Sequence, residues 1–249
     1  MCKVWLITGC SRGLGRELAQ AVLAAGHRLV ATARDLRDLD VLLPSDRLRI
    51  APLDVTDPAA ARDAVAVALS AFGCLDVLVN NAGHIAADSI EDQSEDDFRR
   101  QIETNFFGVY NVTRAALPVM HAQRDGHIIQ ISSIGGRRAT PGLGAYQSAK
   151  WAVGGFSEVL SREVGPLGIR VTCVEPGGMR TDMFGLSMLA SPLAPGLATF
   201  GGKVNAVAAE TTAYPHRDSP ISTSYSVAWG KAEIPRGSRG SSRRRKRVG

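Results

Sequence analysis

Cysteine, aromatic residues and long apolar runs are scarce in this sequence, and each shortage closes off a class of protein. The four cysteines, Cys2, Cys10, Cys74 and Cys173, lie far apart with no Cys-x-x-Cys, and no histidine pair stands at ligand spacing. That pattern excludes a disulfide framework and a zinc site and fits a reducing compartment. Near the start only Val4 to Ile7 are consecutively apolar before a glycine loop, too few for the apolar core of a signal peptide or a membrane span. Neither export nor a membrane partner is expected, and a cytoplasmic location is. An excess of basic charge is also absent from most of the chain. Of the net +5, residues 231–249 supply eight Lys or Arg against one acid, which leaves 21 bases and 23 acids elsewhere. The high pI therefore belongs to the tail and is no argument that the folded body binds nucleic acid.

What is present suits one soluble domain. The 249 residues are 45% hydrophobic and 21% charged, enough for a single core, with no linker before residue 185. Short apolar runs at residues 4–7, 28–31, 48–51, 77–79, 127–131 and 170–174 lack polar alternation, as strands buried on both faces do. Between them, residues 14–25, 58–72, 96–124 and 145–164 carry apolar positions at helical spacing, with Gly26, Gly73 and Gly126 as stops. Asp57-Pro58 and Ser94-x-x-Asp97 read as helix starts. The alternation predicts an α/β fold, a doubly wound parallel sheet of six or seven strands with helices on both faces. Residues 1–234 form the domain. Within it 185–234 are atypical: a Pro- and Gly-rich lid at 186–202, a helical turn or two at 205–209, and a weakly alternating last strand at 221–229. The Gly, Ser and Arg stretch 235–249 is read as a disordered basic tail.

Two constellations carry chemistry. The first strand runs into Thr8-Gly9-Cys10-Ser11-Arg12-Gly13-Leu14-Gly15 and then a helix, a context in which glycines let the backbone approach a ligand and the helix N-terminus faces a pyrophosphate. Tyr146 and Lys150, four residues apart on a helix, share a face. A phenol is a poor acid or base at neutral pH, and a cation nearby favours its phenolate, which is the tuning that proton transfer to a carbonyl oxygen asks for.

With Asn80-Asn81-Ala82-Gly83 after the fourth strand, Asn105 in a helix, Ser133 after the fifth strand and Pro176-Gly177 after the sixth, these motifs resemble the short-chain dehydrogenase/reductase family over residues 3–184. The resemblance implies a Rossmann fold and an oxidoreductase that exchanges a hydride between nicotinamide C4 and a small-molecule carbonyl or secondary alcohol. It implies catalytic roles for four residues. Tyr146 would be the general acid or base. Lys150 would lower the Tyr146 pKa and hold the nicotinamide ribose. Ser133 would bind the substrate oxygen, and Asn105 would bind a water that links Lys150 to solvent. Gly9, Ser11, Arg12, Gly13, Leu14 and Gly15 would cradle the pyrophosphate. Asp54 and Val55 would meet the adenine, and Asn81, Ala82 and Gly83 the adenine ribose. Pro176, Gly177, Met179 and Thr181 would border the nicotinamide. A homodimer or homotetramer is the assembly the family suggests.

At the end of the second strand Arg34 and Asp35 compete. An acid there accepts from the ribose 2′-OH of NAD(H), whereas arginine accommodates the 2′-phosphate of NADP(H). Arg34, supported by Arg12, makes NADP(H) the preferred cofactor, with NAD(H) as the rival. His84 is read as a solvated loop residue, Cys10 as a space filler beside the cofactor, Trp151 and Phe156 as packing or interface residues, and the acidic run from Asp88 to Asp97 as a solvated face. The region after 185 departs from the family. Two origins account for it: a divergent terminus with an added basic arm, or a shift of reading frame. A cofactor-binding protein that is catalytically impaired or regulatory is the alternative function, and the tail as a polyanion-binding arm is a third.

Overall fold

The computed structural model describes residues 2–177. Met179, Thr181, the lid, the last strand and the basic tail therefore lie outside the described residues. Within them the strands are β1 (Val4–Ile7), β2 (Arg28–Ala33), β3 (Leu48–Pro52), β4 (Val77–Asn80), β5 (Gly126–Ile131) and β6 (Ile169–Val174). They pair in the order β3-β2-β1-β4-β5-β6, every pair parallel. The chain thus reverses direction of growth between β1 and β4, and in such a sheet the crevice at the carboxyl ends of those strands is the ligand site.

The connecting helices are α1 (Gly13–Ala24), α2 (Pro58–Phe72), α3 (Glu95–Ile102), α4 (Gly108–Gln123) and α5 (Gly144–Val164). Their starts follow local chemistry. Asp57 accepts from the Ala59 N–H at 2.7 Å with Pro58 in the first turn, and Ser94 accepts from the Asp97 N–H at 3.1 Å while donating to its carboxylate. One apolar cluster, with Ala64, Val112, Ala116, Met120 and Leu160, fills the face under α2, α4 and α5. A second, with Ala19, Val22, Leu29, Leu39 and Val79, fills the face under α1.

Two expectations about the helices are corrected. Residues 96–124 are not one helix: between α3 and α4 the turn widens at Glu103–Phe107, where the Gly108 N–H reaches back five residues to the Glu103 carbonyl. Nor does Gly126 end α4. Arg124 takes the left-handed position, with φ 52°, and Gly126 opens β5, where a Cβ would sit 2.6 Å from the Met120 sulfur. A glycine is needed there for room rather than for its backbone freedom.

Candidate active site

The carboxyl edge of the sheet gathers nearly every sequence-predicted residue that lies within 2–177. After β1 the backbone turns at Gly9, with φ 71°, so closely against the next motif that a Cβ on Gly9 would stand 2.9 Å from Ala82 Cα. A Cβ on Gly15 would lie 2.1 Å from the Gly9 carbonyl and 2.5 Å from Asn81 Nδ2. Asn81 donates to the carbonyls of Thr8 (2.9 Å) and Gly9 (3.1 Å), and Thr8 Oγ1 accepts from the N–H groups of both Asn81 and Ala82 at 2.9 Å. The glycine loop and the Asn81-Ala82-Gly83 turn are one hydrogen-bonded unit. Arg12 precedes α1 in extended conformation and gives it no side-chain cap, so the first-turn N–H groups meet no protein side chain there. Ser11 and Leu14 are half-buried beside them, and Cys10 is buried below. Burial pushes the Cys10 thiol up to about 12, and it donates to the Ile7 carbonyl, in keeping with a space filler.

At the ends of β2 and β3 the two rivals separate. Asp35 caps the short turn Leu36–Leu39 and is paired with Arg37, whose Nε lies 3.0 Å from both carboxylate oxygens. Its carboxyl is held below the usual range by those hydrogen bonds. Arg34 is exposed and lines a groove of about 380 Å³ with Pro52, Leu53, Asp54 and Ala60. Burial works to raise the Asp54 carboxyl, but hydrogen bonds from Thr56 and the nearby Arg34 charge bring it below its ordinary value. Val55 is buried, its carbonyl accepting from Asn111 Nδ2 at 3.0 Å.

Farther along the edge, the Asn105 side chain is fully buried and fully engaged. Its Oδ1 accepts from the His84 N–H (3.0 Å) and its Nδ2 donates to the carbonyls of His84 (2.8 Å) and Gln101 (2.9 Å). Both amide protons are spent, so a water held by this side chain could only donate to Oδ1. His84 itself is half-buried, and burial, followed by the charges of Arg100 and Arg34, lowers its pKa and keeps it neutral.

Ser133, Tyr146 and Lys150 come together as expected. Lys150 Nζ stands 5.7 Å from the centre of the Tyr146 ring, and Ser133 is near enough to Tyr146 to pull against the rise of its phenol pKa. The electrostatics differ from the sequence expectation. Tyr146 is 5% exposed, and burial raises its phenol above the ordinary value against the lowering effect of Ser133. Lys150 is 4% exposed, donates to the Ile131 carbonyl at 2.7 Å, and is pushed down by burial to about 8. Spacing puts the ammonium beside the phenol, but withdrawal from water is the stronger influence on both.

Three contributors escaped sequence reading. Thr8 bridges the two loops. The Glu175 carboxylate, buried just before Pro176-Gly177, accepts from Arg137 Nε at 2.6 Å, and the Ile134 N–H meets the Pro176 carbonyl at 3.0 Å. These two links tie the Ser133 loop to the turn after β6. Gln101, four residues before Asn105, is a buried polar residue at an apolar position of the helical period, a signal that the sequence does carry. Phe156 packs edge-on against Phe106 and Tyr110, while Trp151 is exposed. Among the described residues there is no candidate metal cluster and no helix long and apolar enough to cross a membrane.

A Rossmann-like sheet with a bare-backbone loop at its first crossover and a half-buried Ser133 beside buried Tyr146 and Lys150 defines a class of oxidoreductase. The model of the short chain dehydrogenase family matches residues 3–208. Oxidoreductase BOA17 of Botryotinia fuckeliana is 49% identical over 191 residues, covering 76% of this chain and 70% of that protein. A short-chain dehydrogenase from Streptomyces avermitilis is 42% identical with a TM-score of 0.70, over 74% of this chain and 69% of that one. ElxO, solved with NADP bound, is 32% identical with a TM-score of 0.71, over 76% and 79%. The chain belongs to the short-chain dehydrogenase family, oxidoreductases of CH–OH and C=O groups. It spans between 59% and 70% of the length of several curated relatives.

Proposed function

We propose that this protein is an NADP(H)-dependent oxidoreductase that interconverts a carbonyl and a secondary alcohol, with Tyr146 moving the proton. The observation that carries the reading is the convergence of half-buried Ser133 with buried Tyr146 and Lys150 at the carboxyl edge of the sheet. The residues present fit a dinucleotide. Gly9 and Gly15 let the loop fold tightly on itself and on the Asn81-Ala82 turn, and α1 begins without a side-chain cap. Asp35 is consumed by Arg37 while Arg34 is exposed beside the groove, which supports NADP(H) over NAD(H). When bound, the dinucleotide supplies or accepts the hydride at nicotinamide C4.

The chain's own residues do the rest. Ser133 Oγ hydrogen-bonds the substrate oxygen and fixes its position. Tyr146, whose phenol stays protonated at neutral pH, donates its proton to that oxygen as the carbonyl is reduced. Lys150 would replace the proton and hold the ribose hydroxyls, and its pKa of about 8 lets it give up a proton readily. Asn105 would hold the water through which Lys150 is reprotonated. Pro176 and Gly177 would border the nicotinamide, as would Met179 and Thr181, which lie outside the described residues.

The test is NADPH oxidation across aldehydes, aliphatic and cyclic ketones, diketones and steroid ketones, beside Tyr146→Phe and an NADPH titration. Turnover that Tyr146→Phe abolishes while binding persists is expected. Turnover that survives Tyr146→Phe undiminished would refute the mechanism, and binding without turnover on any carbonyl would leave a dinucleotide-responsive binding protein.

A further inference from the structure

We infer that Gln101 is a positioning residue for Tyr146, acting through the extended backbone of residues 84–87. The Gln101 side chain is fully buried, and its amide makes the same pair of bonds that a neighbouring strand would make. Oε1 accepts from the Ala86 N–H at 3.0 Å and Nε2 donates to the Ala86 carbonyl at 3.1 Å. One turn on, Asn105 repeats that pair on His84. The match has a metric basis. Four residues of helix rise about 6 Å and two residues of extended chain about 6.6 Å, so amides at i and i+4 of a helix meet alternate peptides of a strand. The widening at Glu103–Phe107 lies where the second amide is delivered.

Pinning residues 84 and 86 by their peptides sets residues 85 and 87. Ile85 and Ala87 pack with Leu143 and Tyr146 in a small apolar cluster of their own. The far end is closed by the Asp88 N–H on the Gly142 carbonyl at 2.9 Å. The segment is therefore a one-strand wall, laced to α3 on its polar edge and holding the Tyr146 ring with its side chains. A buried primary amide costs free energy unless both its donor and its acceptor are satisfied, and here they are satisfied by the wall. The placement of the ring, and the exclusion of water from its phenol, depend on that lacing.

This rests on the reading of Tyr146 as proton donor, so the test keeps the two apart. Gln101→Leu keeps the bulk and removes both bonds. Gln101→Glu accepts from Ala86 when ionised and, when protonated, donates to its carbonyl as well. Each is followed by amide hydrogen exchange at His84 and Ala86, by the Tyr146 titration read as the difference from a Tyr146→Phe partner, and by NADPH titration. In Gln101→Leu the two amides should exchange about tenfold faster or more. Its phenol should titrate closer to an ordinary tyrosine, and NADPH affinity should change less than about threefold. Gln101→Glu should approach the parent near about pH 5 and depart from it near about pH 8, which decides the matter if Gln101→Leu does not fold. A Tyr146 titration unmoved in Gln101→Leu, or a ratio of Gln101→Glu exchange to parent exchange that is the same at both pH values, overturns the positioning role. If Tyr146→Phe keeps full turnover while the Gln101 variants shift the titration, the positioning stands and the catalytic reading falls.

Discussion

The glycine loop and the Tyr146 wall face each other across one crevice and are built by opposite means. The first is shaped by what is missing: no Cβ fits at Gly15, no side chain caps α1, and the loop is held from behind by Thr8 and Asn81. The second is shaped by side chains that engage the backbone, the amides of Gln101 and Asn105 on residues 84 and 86 and the Lys150 ammonium on the Ile131 carbonyl, with Tyr146 buried beside them. The contrast separates two ways to fail. A substitution in the loop fails by collision, abruptly and for folding and binding together. A substitution in the wall fails through desolvation and misplacement, and can remove chemistry while leaving the fold.

The sharpest test of the first half is Gly15→Val. Its Cβ would overlap the Gly9 carbonyl, and backbone against backbone cannot yield. Loss of NADPH binding with a thermal midpoint lowered by more than about 10 °C is expected. A folded, binding Gly15→Val would erase the distinction. On the other side, Tyr146→Phe should keep its midpoint within a few degrees and its NADPH affinity while turnover falls about 100- to 10,000-fold, measured by steady-state NADPH oxidation.

Lys150 sharpens the comparison through pH. Its folded pKa of about 8 lies below the ordinary 10.5, so between those values the unfolded chain binds more protons than the folded one. The penalty of burying the charge is fully present below about pH 8 and is relieved as pH climbs through the window. Denaturant midpoints of the parent should therefore gain on those of Lys150→Met by a contribution of order 3 kcal/mol from pH 8 to 10.5. Parallel curves would mean that the ammonium is not desolvated.

Much of this was legible in the sequence. Strands buried on both faces lose their polar alternation, so the runs around Leu6, Val30, Leu78 and Ile128 mark the sheet directly. A spacing of four fixes Tyr146 and Lys150 on one face whatever surrounds them. The widened turn was not legible, because the buried residues Gln101, Asn105, Gly108, Val112 and Ala116 keep helix-like spacing straight across it. Arg124 was hidden because Gly126, two residues on, looks like the better stop, and its real constraint is the Met120 side chain from another turn. The direction of the Tyr146 shift was missed for a related reason: sequence shows that a lysine is near but not that both groups are withdrawn from water. Gln101 stands out as a polar residue at an apolar position of the helix, but its partner, a peptide fifteen residues earlier, is not named by that pattern.

The smallest effects concern cofactor choice at the end of β2. Arg34→Ala should weaken NADPH by about 10- to 100-fold while changing NADH little, and equal losses would remove Arg34 from the phosphate. Arg37→Ala should release the Asp35 carboxylate and improve NADH by a few-fold, both read by fluorescence titration.

The distribution of thiols has a practical corollary. Cys10 and Cys173 are buried and pushed up to about 12 and about 11, Cys74 is half-buried and raised as well, and Cys2 alone is exposed. Cys2 precedes β1 and Cys74 precedes β4, so both lie at the amino edge of the sheet, across its width from the crevice. A maleimide fluorophore should couple first at Cys2, and even slower labelling at Cys74 would leave the crevice untouched. The native molecule thus carries its own attachment point for a reporter that senses unfolding without competing with the nucleotide.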